Sequence, residues 1–409
     1  MKSLLFRFSV PRLIGAKAFG TLTPQAYFAP IGPLGFSDMP EPTLKGDDWV
    51  VVRTALVGIC GSDVKQTFLH GNFDNPITSL ISFPAVLGHE ITGTVEGVGP
   101  SVSRTRIGDR VAINPWLSCA PRGIKPACQA CAEGNYSLCR NFTEGRLSPG
   151  LHLGNSKDAP GGFAPLLSAH ESQCFRIPDG VTFEQVVLAD PFSVSLHAIL
   201  KAPPPSPDST VIVYGMGTLG FMCLLALKAM HPSVKVVAIA RHKHQQVLAA
   251  RFGANEVITA EPEPRIIERI AGIVGARVHK PWNGLPWLLD GVDVIYDNVG
   301  SARSLEVGVR VVAPKGTIVV AGVDEPRRFE WTPLYFKEVN IIGSNGFGAE
   351  TFKGQRKHAF EHYFDLLSNG LQDPTPLITH HFKLADYRKA FLTCNSKRQT
   401  GVVKACFEF

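Results

Sequence analysis

Residues 211–243 read VIVYGMGTLGFMCLLALKAMHPSVKVVAIARHK, and this stretch restricts the fold more than any other. Val211, Ile212, Val213 and Tyr214 form an apolar run of the kind needed by a strand buried on both faces. Gly215, Gly217 and Gly220 follow at the spacing G-x-G-x-x-G. An apolar helical run then fills 221–230, and a second apolar strand reads 234–240. A glycine pattern alone is weak, since many parallel sheets contain glycine turns. Strand, tight turn, helix and strand within about thirty residues is the context that makes it a dinucleotide-binding turn.

The three glycines have separate duties. Gly215 permits a sharp bend, Gly217 lets the backbone come close to a pyrophosphate, and Gly220 lets the helix lie near the strand. The unpaired amides of the first helical turn, around Thr218 and Leu219, then face the phosphates, and the helix dipole adds partial positive charge. The end of the second strand distinguishes the two dinucleotides. An NAD site usually closes that strand, about twenty residues past the glycines, with Asp or Glu on the ribose 2′-hydroxyl. Here the strand ends in Ala240, followed by Arg241, His242, Lys243 and His244. No carboxylate repels a 2′-phosphate, and a guanidinium adjoins the place it would take, so NADP(H) is expected ahead of NAD(H). The plainer alternative is that Arg241 and Lys243 are solvated charges opening a helix.

With 409 residues the chain is long enough for two domains with proper cores. Hydrophobic content of 44% and charged content of 19% are those of an ordinary globular protein. The net charge of +6 is mild and the basic residues are scattered, so there is no nucleic-acid footprint. No apolar run approaches the length of a membrane span. Lys2, Arg7, Arg12 and Lys17 precede the first acid, Asp38, a composition shared with transit peptides. Residues 4–10 read at least as well as a first strand ended by Pro11, and a cytoplasmic protein is expected. Nine cysteines, four of them between 119 and 139, do not suit a disulfide scaffold and point to metal in a reducing compartment.

Residues 1–195 hold short β-like runs between Gly and Pro, at 49–57, 90–98, 110–113 and 173–177, the texture of a mostly β domain with long loops. Across 196–345 strands alternate with helices. Runs at 256–258, 292–296, 316–320 and 339–342 join the first two, and six apolar strands predict a doubly wound parallel sheet. The fold class is therefore α/β, with residues 346–409 expected to fold back onto the first domain. The proline-rich 202–207 reads as a connector.

Two short stretches of the first domain carry chemistry, Gly58-Ile59-Cys60-Gly61-Ser62-Asp63 and Gly88-His89-Glu90. Cys60 thiolate and His89 imidazole are good zinc ligands. By themselves, 29 residues apart, they mean little, and a buried thiol and a satisfied core histidine would be the leading explanation. Cys128, Cys131 and Cys139, with Cys119 upstream, suit one tetrahedral ion held by four thiolates. The loop 120–127, with Pro121, Gly123 and Pro126, would have to double back to bring Cys119 in. The alternative is a set of thiols in a metal-free lobe. Cys174, Cys223, Cys394 and Cys406 read as packing residues.

G-I-C-G-S-D, then G-H-E, then Gly108-Asp109-Arg110-Val111, then the cysteine cluster, then the glycine turn resembles the zinc-dependent medium-chain dehydrogenase/reductase family, over nearly the whole chain. That family includes alcohol, sorbitol and threonine dehydrogenases. The resemblance implies a GroES-like catalytic domain, a Rossmann cofactor domain, and both a catalytic and a structural zinc. It implies Cys60, His89 and Asp190 as catalytic ligands, since Asp190 takes the position where relatives carry Cys or Glu. Glu90 matches the family's nearby or exchangeable carboxylate, and Asp63 the partner that orients His89. Ser62 matches the hydroxyl that hands the substrate's proton outward, although a helix-capping serine is the plainer reading. The relay histidine that often follows is Lys65 here, with His70 a distant substitute. Many relatives place the first lobe cysteine at the position of Lys125, so Cys119 departs from that pattern.

The expected reaction is reversible hydride transfer between NADP(H) and a small-molecule alcohol/carbonyl pair, with zinc as Lewis acid. One rival is a zinc-free enone or quinone reductase of the same superfamily, which Cys60, His89 and the cysteine lobe oppose. Another is a non-catalytic NADP-binding structural protein, which an intact ligand set opposes. The loop 66–84 is longer than the turn usual between the two zinc motifs and is expected to shape the substrate pocket; its Phe68, Phe73 and Phe83 hint at apolar walls, although aromatic residues in a loop are more often simple packing. By family analogy the protein is a homo-oligomer, dimer or tetramer.

Overall fold

The computed structural model describes residues 1–71, 75–324 and 328–409, so Phe73 lies outside the described residues. The chain divides into two compact units, 1–190 with 375–409, and 191–374. The sequence division differs in the tail, because 346–374 stays with the second unit and only 375–409 returns to the first. The reason is packing on the helix Ala189–Lys201. Glu350 Oε1 accepts from His197 Nδ1 at 2.8 Å, and the Phe192 and Tyr363 rings, both fully buried, lie 4.6 Å apart. A polar pair and an aromatic pair on one helix hold the segment there.

In the first unit the strand Trp49–Gly58 is central. It pairs antiparallel with Glu90–Val98, with Leu166–His170 and with the C-terminal strand Lys404–Glu408. Trp49, Val50, Val52 and Val57 are all fully buried, so the strand is covered on both faces where it crosses the core. The register sets Cys406 opposite Gly58, which brings residues from the two ends of the chain together. The N-terminal strand is Lys2–Phe6 and pairs with Leu34–Asp38. Pro11, read above as a strand stop, instead opens the helix Val10–Gly20, where its missing amide hydrogen costs nothing in the first turn.

The second unit contains the expected sheet. Its order is Glu256–Thr259, Lys235–Ala240, Thr210–Tyr214, Val292–Asp297, Val312–Val320, Asn340–Gly343, all parallel. That order reverses direction beside Thr210–Tyr214, the switch point at which dinucleotides bind in open α/β sheets. No helix among the described residues is long and apolar enough to cross a membrane.

Candidate metal centres and dinucleotide turn

The cysteine lobe gathers its four sulfurs. Cys119, Cys128, Cys131 and Cys139 each place Sγ within 4.8 Å of the others. Cys119 and Cys139 are 3.7 Å apart and Cys128 and Cys139 4.0 Å. Four thiolates about 2.3 Å from one tetrahedral zinc ion stand roughly 3.8 Å from one another, so the cluster has the size of that coordination shell. Backbone amides already point at the sulfurs: Cys128 N to Cys119 at 3.3 Å, Arg140 N to Cys128 at 3.5 Å, Asn141 N to Cys139 at 3.4 Å. Burial opposes ionisation of Cys128, yet the amides of Arg140 and Cys131 bring it down to about 6. Cys131, whose thiol hydrogen-bonds Cys139, is pushed up instead. The loop 120–127 does double back, with Gly123 N bonded to Ala120 O and Ile124 N to Cys119 O.

The second cluster lies where two strand ends meet. Cys60 follows Trp49–Gly58 and caps the helix Gly61–Thr67, while His89 immediately precedes Glu90–Val98. Cys60, His89 and Glu90 bring one ligand atom each within 4.8 Å of one another. Asp63 Oδ2 accepts from Cys60 N at 2.9 Å and its Oδ1 stands 3.7 Å from His89 Nδ1, a buried nitrogen without a hydrogen bond among the described residues. Burial alone would lower the imidazole's pKa, but Asp63, the Cys60 thiolate and Asp190 together hold it well above the usual value. Three acidic groups converging on one imidazole is the donor chemistry that suits a divalent cation.

Asp190 is not in the Cys60, His89, Glu90 group, although its charge acts on His89. Burial pushes its carboxyl up to about 7, against the opposing pull of His89. Glu90 is differently placed. Its Oε2 is bonded to Lys404 Nζ, and both side chains are 2% exposed. Gly58 makes room for this pair, since a Cβ there would meet Glu90 Oε2 at 1.9 Å and Lys404 Cε at 2.7 Å. Ser62 lies exposed in the first turn of Gly61–Thr67, a helix capped by Cys60 and Asp63, so Ser62 is not its cap.

Three residues near these clusters carry no sequence signature. Lys404 is one. His152 is another: its ring lies 4.5 Å from that of His89, and its Nδ1 is 2.7 Å from Leu153 O. Arg122, 1% exposed, is the third, and its guanidinium lies among the carbonyls of the cysteine lobe. Each is fixed by contacts that no short motif encodes. Of the described loop phenylalanines, Phe68 is core, 2% exposed and edge-on to Tyr27 and Phe28, while Phe83 is half-buried with its ring 5.1 Å from that of Phe6.

In the second unit the glycine turn has the shape its sequence implied. Gly215 has φ +88°, and a Cβ on Gly220 would lie 2.1 Å from Gly215 O. Nothing lies within 4 Å of a Cβ on Gly217, which caps the helix Thr218–Met230. That helix has no acid in its first turn, so the amides of Thr218 and Leu219 open a helix end favourable to anions. The strand Lys235–Ala240 ends as expected, and Arg241 and Lys243 beyond it are exposed.

Residues 46–179 match the family model for the alcohol dehydrogenase GroES-like domain, and residues 218–364 that for zinc-binding dehydrogenases. A probable D-xylulose reductase A from Neosartorya fischeri is 29% identical over 87% of this chain and 89% of its own length. A sorbitol dehydrogenase from Bacillus subtilis is 27% identical over 86% and 88%. The solved structure of an alcohol dehydrogenase from Escherichia coli CFT073, complexed with NADH, superposes with a TM-score of 0.76 at 24% identity, covering 100% of this chain and 99% of that one.

Proposed function

The chain belongs to the zinc-dependent medium-chain dehydrogenase/reductase family and is an oxidoreductase of CH–OH donors; from that premise we propose that it interconverts a small polyol and its ketose with NADP(H). The observation that carries this reading is the convergence of Cys60 and His89 with a surplus of carboxylates, beside a second cluster of four thiols. Cys60, His89 and Asp190 hold the catalytic zinc, and Cys119, Cys128, Cys131 and Cys139 the structural one. When bound, the zinc supplies Lewis acidity toward the substrate oxygen and the dinucleotide supplies the hydride.

The chain's own side chains do the rest. Asp63 faces His89 Nδ1 and orients the ring, and the ion pair with Lys404 holds Glu90 beside the cluster without letting it compete freely for the ion. Ser62 Oγ, exposed at the helix start, accepts the alcohol's proton and passes it outward. Gly217, Thr218 and Leu219 take the pyrophosphate, while Ala240, Arg241 and Lys243 take the adenosine ribose and its 2′-phosphate. The polyol assignment rests on the names of the relatives. A screen of NADP and NAD consumption across polyols, aliphatic alcohols and aromatic aldehydes tests it, and turnover confined to non-polyols would replace it.

Two results are expected here. Wild-type kcat/KM should be larger with NADP than with NAD, and Arg241→Ala should cut the NADP value by about tenfold or more, the usual worth of a charge-assisted hydrogen bond to phosphate. The NAD value should stay nearly level; a wild-type preference for NAD overturns the cofactor assignment. Metal analysis should find zinc at both clusters, with Cys131→Ser losing the lobe ion alone. Wild-type protein holding a single zinc per chain would return the lobe to a set of free thiols.

A further inference from the structure

A cavity of about 710 Å³ opens on the first unit, and neither a cysteine nor His89 lines it. Its walls come from two segments, 7–36 and 385–389, and neither family model matches any residue of either. Four cationic side chains line it, Arg7, Arg12, Arg388 and Lys389, against one acid, Asp386. None of the four forms an ion pair among the described residues. An ordinary surface disperses such charges or pairs them; here they converge on one concavity.

The geometry prepares donors. Arg7 and Arg12 are half-buried, and both are anchored by backbone carbonyls alone. Arg7 Nη2 donates to Phe36 O at 3.2 Å, and Arg12 Nη1 donates to Pro30 O at 3.0 Å and Gly32 O at 2.6 Å. A guanidinium has five N–H donors, so each arginine is fixed in place with donors to spare. Arg388 is steadied by its neighbour, with Nε 3.1 Å from Tyr387 Oη. Arg388 and Lys389 also occupy the first turn of the helix Tyr387–Asn395, which contains no acid. Cations there oppose the helix dipole, whereas an anion in the cavity would interact favourably both with them and with the helix end. The buried rings of Phe28 and Tyr387 supply an apolar floor.

We propose that this cavity binds a phosphate-bearing ligand, its phosphate held by Arg7, Arg12, Arg388 and Lys389. Forked guanidinium donors match phosphate oxygens, and the volume lies within the range of about 300–1,000 Å³ typical of small-molecule sites. A free phosphate ester and a lipid headgroup present the same chemistry.

The test uses the full chain saturated with NADP, so that the glycine turn does not compete for the probe. Titration calorimetry with inorganic pyrophosphate should show binding that weakens with salt, and Arg388→Glu combined with Lys389→Glu should weaken it by about tenfold or more. Both side chains are exposed, and an unchanged melting temperature will show that the variant is folded. Sedimentation with phosphatidylserine vesicles, compared with phosphatidylcholine vesicles, distinguishes the source. Pyrophosphate binding alone assigns a soluble ester, and variant-sensitive pelleting with the acidic vesicles assigns a headgroup. Wild-type protein that binds neither probe, or a double variant that binds both as well as wild type, overturns the proposal.

Discussion

Asp190→Asn should lower kcat/KM by about a thousandfold or more, the several kcal/mol that a Lewis acid contributes to such a barrier, and should remove the ion at the Cys60 cluster while leaving NADPH binding nearly unchanged. The argument starts from the two carboxylates near His89. Glu90 has Lys404, an ammonium buried with it. Asp190 has no hydrogen bond or ion pair among the described residues, and burial raises it to about 7. Asp190 is half-buried, and a desolvated carboxyl with no hydrogen bond is costly unless a cation accompanies it. Asn preserves the shape and removes only the charge, so loss of the ion with an unchanged fold isolates the ligand role. Glu90→Gln provides the contrast, because its main partner is Lys404, and it should keep the metal with a smaller loss of rate. If Asp190→Asn retains both zinc and most of its turnover, Asp190 is not a ligand. Metal loss in Glu90→Gln instead would move the third position to Glu90, which the 4.8 Å grouping already includes.

What was legible in the sequence follows from how locally each feature is encoded. The strands Thr210–Tyr214 and Lys235–Ala240 are buried on both faces, so each appears as an unbroken apolar run. The glycine turn and the cysteine spacing are equally local. Cys119 needed a loop to double back, and turn residues at Pro121 and Gly123 announced one. Pro11 was ambiguous because a proline that stops a strand is equally suited to starting a helix. The segment 346–374 was misassigned because its attachment depends on His197 and Phe192, far back in the sequence. Lys404 reaches Glu90 across 314 positions, and no window on the sequence could pair them. His152 meets His89 through a loop with no periodicity.

The largest loss of stability is expected from Arg122→Met. Arg122 is 1% exposed and donates to five carbonyls: Leu117 at 2.9 Å, Glu144 at 2.7 Å, Leu147 at 2.9 Å, Ser148 at 3.1 Å and Gly150 at 2.8 Å. Those bonds engage all five of its N–H groups. Burial lowers the guanidinium's pKa, and the sulfurs of Cys139 and Cys119 oppose that shift. Methionine fills much of the volume but leaves five acceptors dry, at about 1–3 kcal/mol each before relaxation and water entry recover part of it. A net loss of roughly 5 kcal/mol, or about 10–20 °C in the melting temperature of the first unit, is expected. Arg122→Lys should fall between, since an ammonium keeps the charge and has three donors in place of a five-donor fork. The damage should be local, with hydrogen exchange accelerating across 117–150 and the parallel sheet of the second unit unaffected. Because the acceptors come from both ends of the lobe, the guanidinium ties the same loop that the four sulfurs close. Chelating the lobe zinc from wild type should therefore leave 117–150 partly protected, whereas chelation in Arg122→Met should melt it outright. Equal protection in the two proteins after chelation would show that the metal alone holds the lobe.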